Sequence, residues 1–155
     1  LKAVQLDWVM PKMPKSIDAV AADKPRIVFP ASTLARKGAY ELREALQDLD
    51  VTLVVAGASQ HEGADFWHGL DVEPRRAGAN LFAGASLVVL PALVEHAPRA
   101  ILRALASGIP AVASRECGIG RRPGLATVAA GDATALRSAI LIALYGEPQP
   151  QAKAA

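Results

Sequence analysis

The sequence predicts an α/β fold: a Rossmann-like, doubly wound and mostly parallel sheet with helices on both faces. Two apolar runs, VTLVVA at Val51–Ala56 and LVVL at Leu87–Leu90, lack polar alternation, which is typical of strands covered on both faces. Segments with apolar residues at helical spacing lie between such runs. Because parallel neighbours need right-handed crossover connections, this alternation favours a parallel sheet.

The predicted domain covers residues 25–146. A chain of 155 residues with 52% apolar composition is long enough to bury one core. Residues 1–24 contain Pro11 and Pro14, and we interpret them as a linker with one short strand at Ala3–Leu6. Residues 147–155 are expected to form a flexible tail. Since the first residue is Leu1 rather than Met, we expect a piece of a longer protein.

The first half of the domain is predicted to begin with a strand at Arg26–Pro30, followed by a helix that closes at Asp50. The apolar face of this helix consists of Leu42, Ala45, Leu46 and Leu49. A weaker strand is predicted at Phe66–Leu70. A helix at Glu73–Ala83, with a proline in its first turn, is predicted to follow it.

The second half carries clearer signals. After Leu87–Leu90, a helix is predicted at Ala97–Ser107, with Pro98 as its first residue and Gly108 at its C-terminal cap. A strand at Ala111–Ser114 follows. The last predicted pair is a strand at Leu125–Ala129 and a helix capped by Asp132. The buried face of that helix consists of Leu136, Ala139, Ile140, Ala143 and Leu144.

Composition and charge argue against several functions. A formal charge of +2, dispersed arginines and 5% aromatic residues disfavour nucleic-acid binding. The single cysteine, Cys117, excludes an internal disulfide and favours a reducing compartment, the cytoplasm. No apolar run reaches the ~18 residues of a membrane span. His61, His68 and His96 lack metal-ligand spacing and there is no Walker lysine, so we expect neither a metal nor a resident cofactor.

The loop after the first strand, Ala31–Gly38, is a candidate anion site. Ser32, Arg36 and Lys37 bring a hydroxyl and two cations to the start of a helix, where free N–H groups already favour negative charge. A phosphate would suit this loop. The alternative is that Arg36 and Lys37 are only solvated side chains.

The loop after Leu87–Leu90 is a second candidate site. Glu95 can accept hydrogen bonds from sugar hydroxyls, while the helix start at Ala97 and the guanidinium of Arg99 can hold a phosphate. The alternative is that Glu95 only complements the helix dipole. The turn after Ala111–Ser114 holds Gly118-x-Gly120, which lacks the third glycine of a dinucleotide fingerprint, and we interpret it as loop flexibility. Trp67 is expected to pack outside any aromatic cluster.

The segment LVVLPALVEHAPRAILRALASGIPAVAS, residues 87–114, resembles the donor-binding C-terminal half of retaining glycosyltransferases of family 4 (group 1), which have the GT-B fold. Three further matches are Arg36-Lys37-Gly38 with the family's Lys-Gly, Val54–Gly57 with the end of its second strand, and Gly131-Asp132 before its last helix. The matches run in order from Arg26 to Leu144.

The resemblance implies a nucleotide-diphosphate sugar as substrate, with Lys37 on the diphosphate and Glu95 near the donor sugar as the catalytic residues. Donor contacts are expected from Ser32, Arg36, Lys37, Glu95, Ala97 and Arg99. The resemblance also implies a hexosyltransferase whose missing N-terminal domain binds the acceptor and provides any peripheral membrane association. This fragment alone is then expected to be inactive.

The chain also departs from the family pattern. Eight residues after Glu95, Arg103 stands where the family's Glu-x7-Glu motif has its second carboxylate, and no arginine lies near Ala31. His96 replaces a glycine, and Cys117-Gly118 replaces Gly-Gly. These departures support an alternative: a degenerate Rossmann-like module with a structural or partner-binding role. A phospho-acceptor receiver fits poorly, because no carboxylate ends the first strand.

Overall fold

The computed structural model describes residues 24–31, 35–56, 65–78, 80–96 and 98–146. The predicted tail, the strand at Ala3–Leu6 and all but Lys24 of the predicted linker lie outside these residues.

Six strands form one sheet in the order β3-β2-β1-β4-β5-β6. The strands are β1 (Arg26–Phe29), β2 (Thr52–Ala56), β3 (Asp71–Arg75), β4 (Leu87–Leu90), β5 (Ala111–Ser114) and β6 (Leu125–Val128). Each described strand pair is parallel, which confirms the predicted fold class.

Three described helices cover the sheet: α1 (Ala39–Ala45), α2 (Arg99–Ala106) and α3 (Ala133–Tyr145). Strand β1 pairs with both β2 and β4. The chain crosses from β1 to β2 in one direction along the sheet and from β4 to β5 in the other. Right-handed crossovers therefore place α1 and α2 on opposite faces. Helix α3 packs beside α1.

The core lies on both faces of the four inner strands. Every residue of β2, β4 and β5 is buried, as the unbroken apolar runs predict. The largest fully buried side chains include Phe29 of β1, Leu53 of β2, Ile101 of α2 and Ile140 of α3. The strands between the two helical layers are thus held rigidly, and their carboxyl ends position the loops that follow.

The prediction for residues 66–83 is wrong. Residues 65–69 form turns rather than a strand, and the segment predicted as a helix instead begins within β3 and continues into turns. Strand β3 lies at the edge of the sheet and pairs only with β2, so it lacks an apolar run. Pro74 has no N–H to donate, which an edge strand tolerates. Arg75 donates to the carbonyl oxygens of Leu81 (3.3 Å) and Ala83 (2.6 Å) and so holds the turns in place.

Trp67 is buried, as predicted, but it does belong to an aromatic cluster. Its ring contacts Phe29 edge-on at 6.0 Å and Phe66 at 4.7 Å, measured between ring centroids. Tyr40 of α1 contacts Phe66 in the same way at 5.0 Å. Because Phe29 and Tyr40 lie far from Phe66 and Trp67 in the sequence, only the fold reveals the cluster.

Helix limits differ from the predictions by a few residues. Helix α1 ends at Ala45 rather than at Asp50, and Leu49 lies beyond it. Pro98 is the N-cap of α2 rather than its first residue. Asp132 caps α3 as predicted, because its side chain accepts a hydrogen bond from the Ala135 amide at 2.8 Å.

Candidate functional site

Lys37 and Glu95 meet at the carboxyl ends of β1 and β4. Lys37 lies in a short 3-10 turn after β1, and Glu95 lies in the loop between β4 and α2. The Lys37 Nζ atom is 2.6 Å from Glu95 Oε2, and the two side chains are 19% and 11% exposed. The sequence predicted both residues as site residues, and the fold joins them in a largely buried ion pair.

Backbone contacts hold the two loops against each other. Gly38 has φ +79°, and a Cβ atom there would lie 2.1 Å from the carbonyl oxygen of Pro91. The carbonyl oxygen of Arg36 accepts hydrogen bonds from the amides of Leu93 (2.8 Å) and Val94 (3.3 Å). The approach of Lys37 to Glu95 is therefore fixed by main-chain geometry rather than by the ion pair alone.

Ser114 and Cys117 support the Glu95 loop from the end of β5. Ser114 Oγ donates to the carbonyl oxygen of Ala92 at 2.5 Å, and Cys117 Sγ donates to that of Leu90 at 3.7 Å. The two side chains lie 3.5 Å apart. Burial raises the pKa of the Cys117 thiol, so the thiol remains protonated at neutral pH.

These two residues are ones that sequence reasoning missed, because it interpreted their turn as loop flexibility. Residues 115–117 instead form a 3-10 turn whose last side chain is buried. A signal was available in the sequence: Ser114 is a polar residue at the end of a fully apolar strand. A buried hydroxyl at such a position needs a hydrogen-bond partner.

The other predicted site residues are less closely associated. Arg36 is exposed beside Lys37, and Arg99 is exposed at the start of α2. Ser32 and Ala97 lie outside the described residues. Arg103, which replaces the second carboxylate of the resembled motif, is exposed on α2. The described residues contain no group of three or more His, Cys, Asp or Glu side chains that could hold a metal ion.

The arrangement combines a cation with a hydrogen-bond acceptor at the topological switch point of the sheet. In open α/β sheets, ligands bind in the crevice outside the strand ends at this point. A lysine ammonium has three donors, of which the contact to Glu95 uses one. The pair can thus bind an anionic oxygen through Lys37 while Glu95 accepts a hydrogen bond from a neighbouring hydroxyl.

Comparison with known proteins gives one family match for this chain. A sequence model of the family described as "Glycosyl transferases group 1" matches residues 24–145, more than half of the chain. Comparison with curated proteins finds no match.

Several solved structures share the fold. Sucrose-phosphate synthase from Thermosynechococcus elongatus is 23% identical with a TM-score of 0.64, over 78% of this chain and 36% of that one. Anabaena HepE in complex with UDP-glucose is 18% identical with a TM-score of 0.65, over 80% and 40%. The C-terminal domain of the group 1 glycosyl transferase LpcC from Francisella tularensis is 18% identical with a TM-score of 0.59, over 76% and 75%.

The chain spans well under half the length of the first two of these proteins. It spans most of the third, which is itself a C-terminal domain. Among the helices in the described ranges, none combines the length and apolar character that crossing a membrane requires.

Proposed function

The chain belongs to the group 1 glycosyl transferases, and on that premise we propose that it is the donor-binding C-terminal domain of such an enzyme. The whole enzyme would transfer a hexosyl group from a nucleotide-diphosphate sugar to an acceptor, with retention at the anomeric carbon. We propose a cytoplasmic location for this reaction, and no metal or cofactor besides the donor.

The observation that carries the proposal is the Lys37–Glu95 pair at the crevice between β1 and β4. A cation 2.6 Å from a carboxylate, both partly shielded from water, suits a ligand with negative charge next to hydroxyl groups. A nucleotide sugar has this composition. The complex of structurally similar HepE with UDP-glucose supports this class of ligand.

Each site residue has a role in the proposed reaction. Negative charge develops on the diphosphate as it leaves the sugar, and the Lys37 ammonium would stabilise that charge in a site of low dielectric constant. Arg36 is exposed beside it and would contact the outer phosphate oxygens. Glu95 would accept hydrogen bonds from the donor sugar.

The start of α2 would provide a further contact to the donor phosphates. The helix N-terminus favours negative charge, and we propose that Ala97 and Arg99 contribute there through a backbone N–H and a guanidinium. We propose a similar hydrogen bond to a phosphate from the Ser32 hydroxyl.

The proposal includes a second domain that binds the acceptor across the crevice. Leu93 and Val94, next to Glu95, are 41% and 48% exposed. Apolar side chains at the rim of a site suit contact with another domain. Without that domain no acceptor is held, so we expect this fragment to bind the donor without transferring the sugar.

The exposed Arg103 favours an alternative, a module that has lost donor binding. The Glu-x7-Glu motif of the resembled family has a carboxylate at this position, which binds the ribose. Loss of this charged hydrogen bond would weaken the binding free energy of the donor by about 1.5–3 kcal/mol. Measurements on the longer protein distinguish the two alternatives. Loss of sugar transfer in the Glu95→Ala variant supports the enzyme. Unchanged partner binding in Glu95→Ala and Lys37→Ala, without any transfer activity, supports the module.

Isothermal titration calorimetry with UDP-glucose, GDP-mannose and ADP-glucose tests donor binding by the 155-residue chain. We expect one of the three to bind at submillimolar concentration. Lys37→Met should weaken that binding by about 10- to 100-fold, because it removes one charged hydrogen bond.

Two further variants separate binding from folding. Lys37→Met leaves the partly buried Glu95 carboxylate without this ion pair, which can destabilise the fold. The double variant with Lys37→Met and Glu95→Met removes that charge as well, so it loses donor contacts without leaving a buried charge unpaired. Arg76→Met, at an exposed position after β3, is the matched control. If no donor binds at millimolar concentration, or if Arg76→Met weakens binding as much as Lys37→Met, the proposal is wrong.

A further inference from the structure

A cavity of about 430 Å3 lies between the loop after β5 and the outer strand β6. Its lining includes Ser114, whose hydroxyl donates to the Ala92 carbonyl oxygen in the loop that carries Glu95. The lining residues with a bearing on its chemistry are Ser114, Arg115, Ile119, Arg121, Arg122 and Thr127.

The charge of the cavity lining is entirely positive. Three arginines line it and no acidic residue does. Within the described residues, the side chains of Arg115 and Arg121 form no ion pair, and both are exposed. Glu116 is the nearest acid in the sequence, and its carboxylate instead accepts a hydrogen bond from the Ala130 amide at 3.2 Å. Like charges on one lining repel each other, and an anion between Arg115 and Arg121 would relieve this repulsion.

We propose that this cavity is a second anion site, which binds the phosphate group of a phosphate monoester such as a sugar phosphate. A phosphate monoester carries up to two negative charges on three acceptor oxygens and can engage several planar guanidinium groups at once. A carboxylate, with one charge and two oxygens, is satisfied by a single arginine. The exposed Thr127 hydroxyl and the apolar side chain of Ile119 also line the cavity and suit a sugar beside the phosphate.

The site goes beyond the proposed function because it does not involve the donor-binding pair. A ligand here would lie next to the strand end that supports the Glu95 loop. It would be bound at the same time as a donor at Lys37. The cavity therefore suits a phosphorylated acceptor or a phosphorylated effector, and both share the same recognition chemistry.

Calorimetric titration of the 155-residue chain with ribose 5-phosphate, and with ribose as the neutral match, tests this site. We expect the phosphate ester to bind and ribose not to bind. Arg115→Gln and Arg121→Gln together should weaken binding at least tenfold, because they remove the charged hydrogen bonds to the phosphate. Both side chains are exposed, so the fold should be kept.

Two controls keep this test separate from donor binding. Arg76→Gln should leave the affinity for ribose 5-phosphate unchanged, and so should Lys37→Met. The site is refuted if neither ribose 5-phosphate nor vesicles with phosphatidic acid bind the chain, or if Arg76→Gln weakens binding as much as the double variant. It is also refuted if Lys37→Met abolishes binding or a bound nucleotide sugar displaces the ester. Failure of nucleotide sugars to bind would count against donor binding alone.

A lipid headgroup is another source of the same phosphate group. Flotation of the chain with phosphatidylcholine vesicles, with and without phosphatidic acid, distinguishes it from a soluble ester. Flotation that requires phosphatidic acid and is lost in the Arg115→Gln, Arg121→Gln variant supports the site with a lipid ligand. Binding of ribose 5-phosphate without flotation supports the site with a soluble ligand.

Discussion

Gly38 shows how one residue sets the geometry of the proposed donor site. It has a left-handed backbone conformation at φ +79°, and its Cα faces the carbonyl of Pro91 closely enough that no Cβ atom fits. Any other residue would therefore push apart the loops that bring Lys37 to Glu95. The sequence shows that a glycine stands here, but only the fold shows what this glycine touches.

Gly38→Ala should destabilise the fold by about 3 kcal/mol or more. The left-handed conformation alone costs an alanine about 1–2 kcal/mol, and the clash with the Pro91 carbonyl adds to it. The free energy of unfolding in urea measures the effect. Gly131→Ala is the matched control, because Gly131 has φ +80° with no atom within 4 Å of its Cβ position. Equal losses in the two variants would contradict close packing of the loops.

The Cys117 thiol should react slowly in the folded protein. The side chain is 2% exposed, and burial holds its pKa above the ordinary value of 9.0. Reaction with Ellman's reagent at pH 8 should be slower by about 100-fold than in urea, because it requires local opening. Since the folded pKa is raised, the associated stability is lost as the pH rises above 9. Rapid reaction in the native state would show that this turn is open.

Individual residues of the site were predictable to different degrees. Lys37 and Glu95 each follow a strongly apolar strand, so their place at one edge of a parallel sheet followed from the sequence alone. The hydrogen bonds from Ser114 and Cys117 join residues that are 22 and 27 positions apart in the sequence. No local pattern encodes such contacts.

At the scale of elements, the junction between α1 and α3 shows how a short helix is stabilised. Helix α1 has only seven residues, and the carbonyl groups of its last turn need partners from beyond the helix. Arg137 of α3 donates to the carbonyl oxygens of Ala45 (3.0 Å) and Gln47 (2.6 Å). A side chain from one helix thus completes the end of the other.

Arg137→Met should destabilise the fold by about 1–3 kcal/mol, because it removes charged hydrogen bonds to two carbonyl groups while keeping the aliphatic stem. Thermal and urea unfolding measure the change. Arg103→Met, at an exposed position of α2, should stay within about 0.5 kcal/mol of the original chain. A loss in Arg137→Met no larger than in Arg103→Met would contradict this role.

Elements in the middle of the sheet were predicted well and those at its edge were not. Strands β2, β4 and β5 are buried on both faces, so hydrophobicity alone identifies them. Strand β3 has one neighbouring strand. Its sequence, DVEPR, is mostly polar, because the strand is partly exposed to solvent and Glu73 forms an ion pair with Arg75. Pro74, which suggested the first turn of a helix, is tolerated in β3 because an edge strand forms hydrogen bonds with only one neighbour and so needs fewer N–H donors.

For the whole molecule, the order of the strands determines where a ligand can bind. Strands β1 and β4 are neighbours, and the chain leaves them in opposite directions. The loops after these two strands therefore separate above the sheet and leave a crevice. The predicted alternation of strands and helices implied a crevice of this kind. The close pairing of Lys37 with Glu95 within it required the structure.

The most direct test of donor binding at this crevice is amide chemical-shift mapping of the 155-residue chain by NMR, with the nucleotide sugar that binds best. We predict that the largest shifts fall on residues 36–38 and 93–96, with smaller ones around Arg121. Shifts confined to the Arg121 region, or spread over the surface without reaching residues 36–38, would contradict a donor held by Lys37 and Glu95.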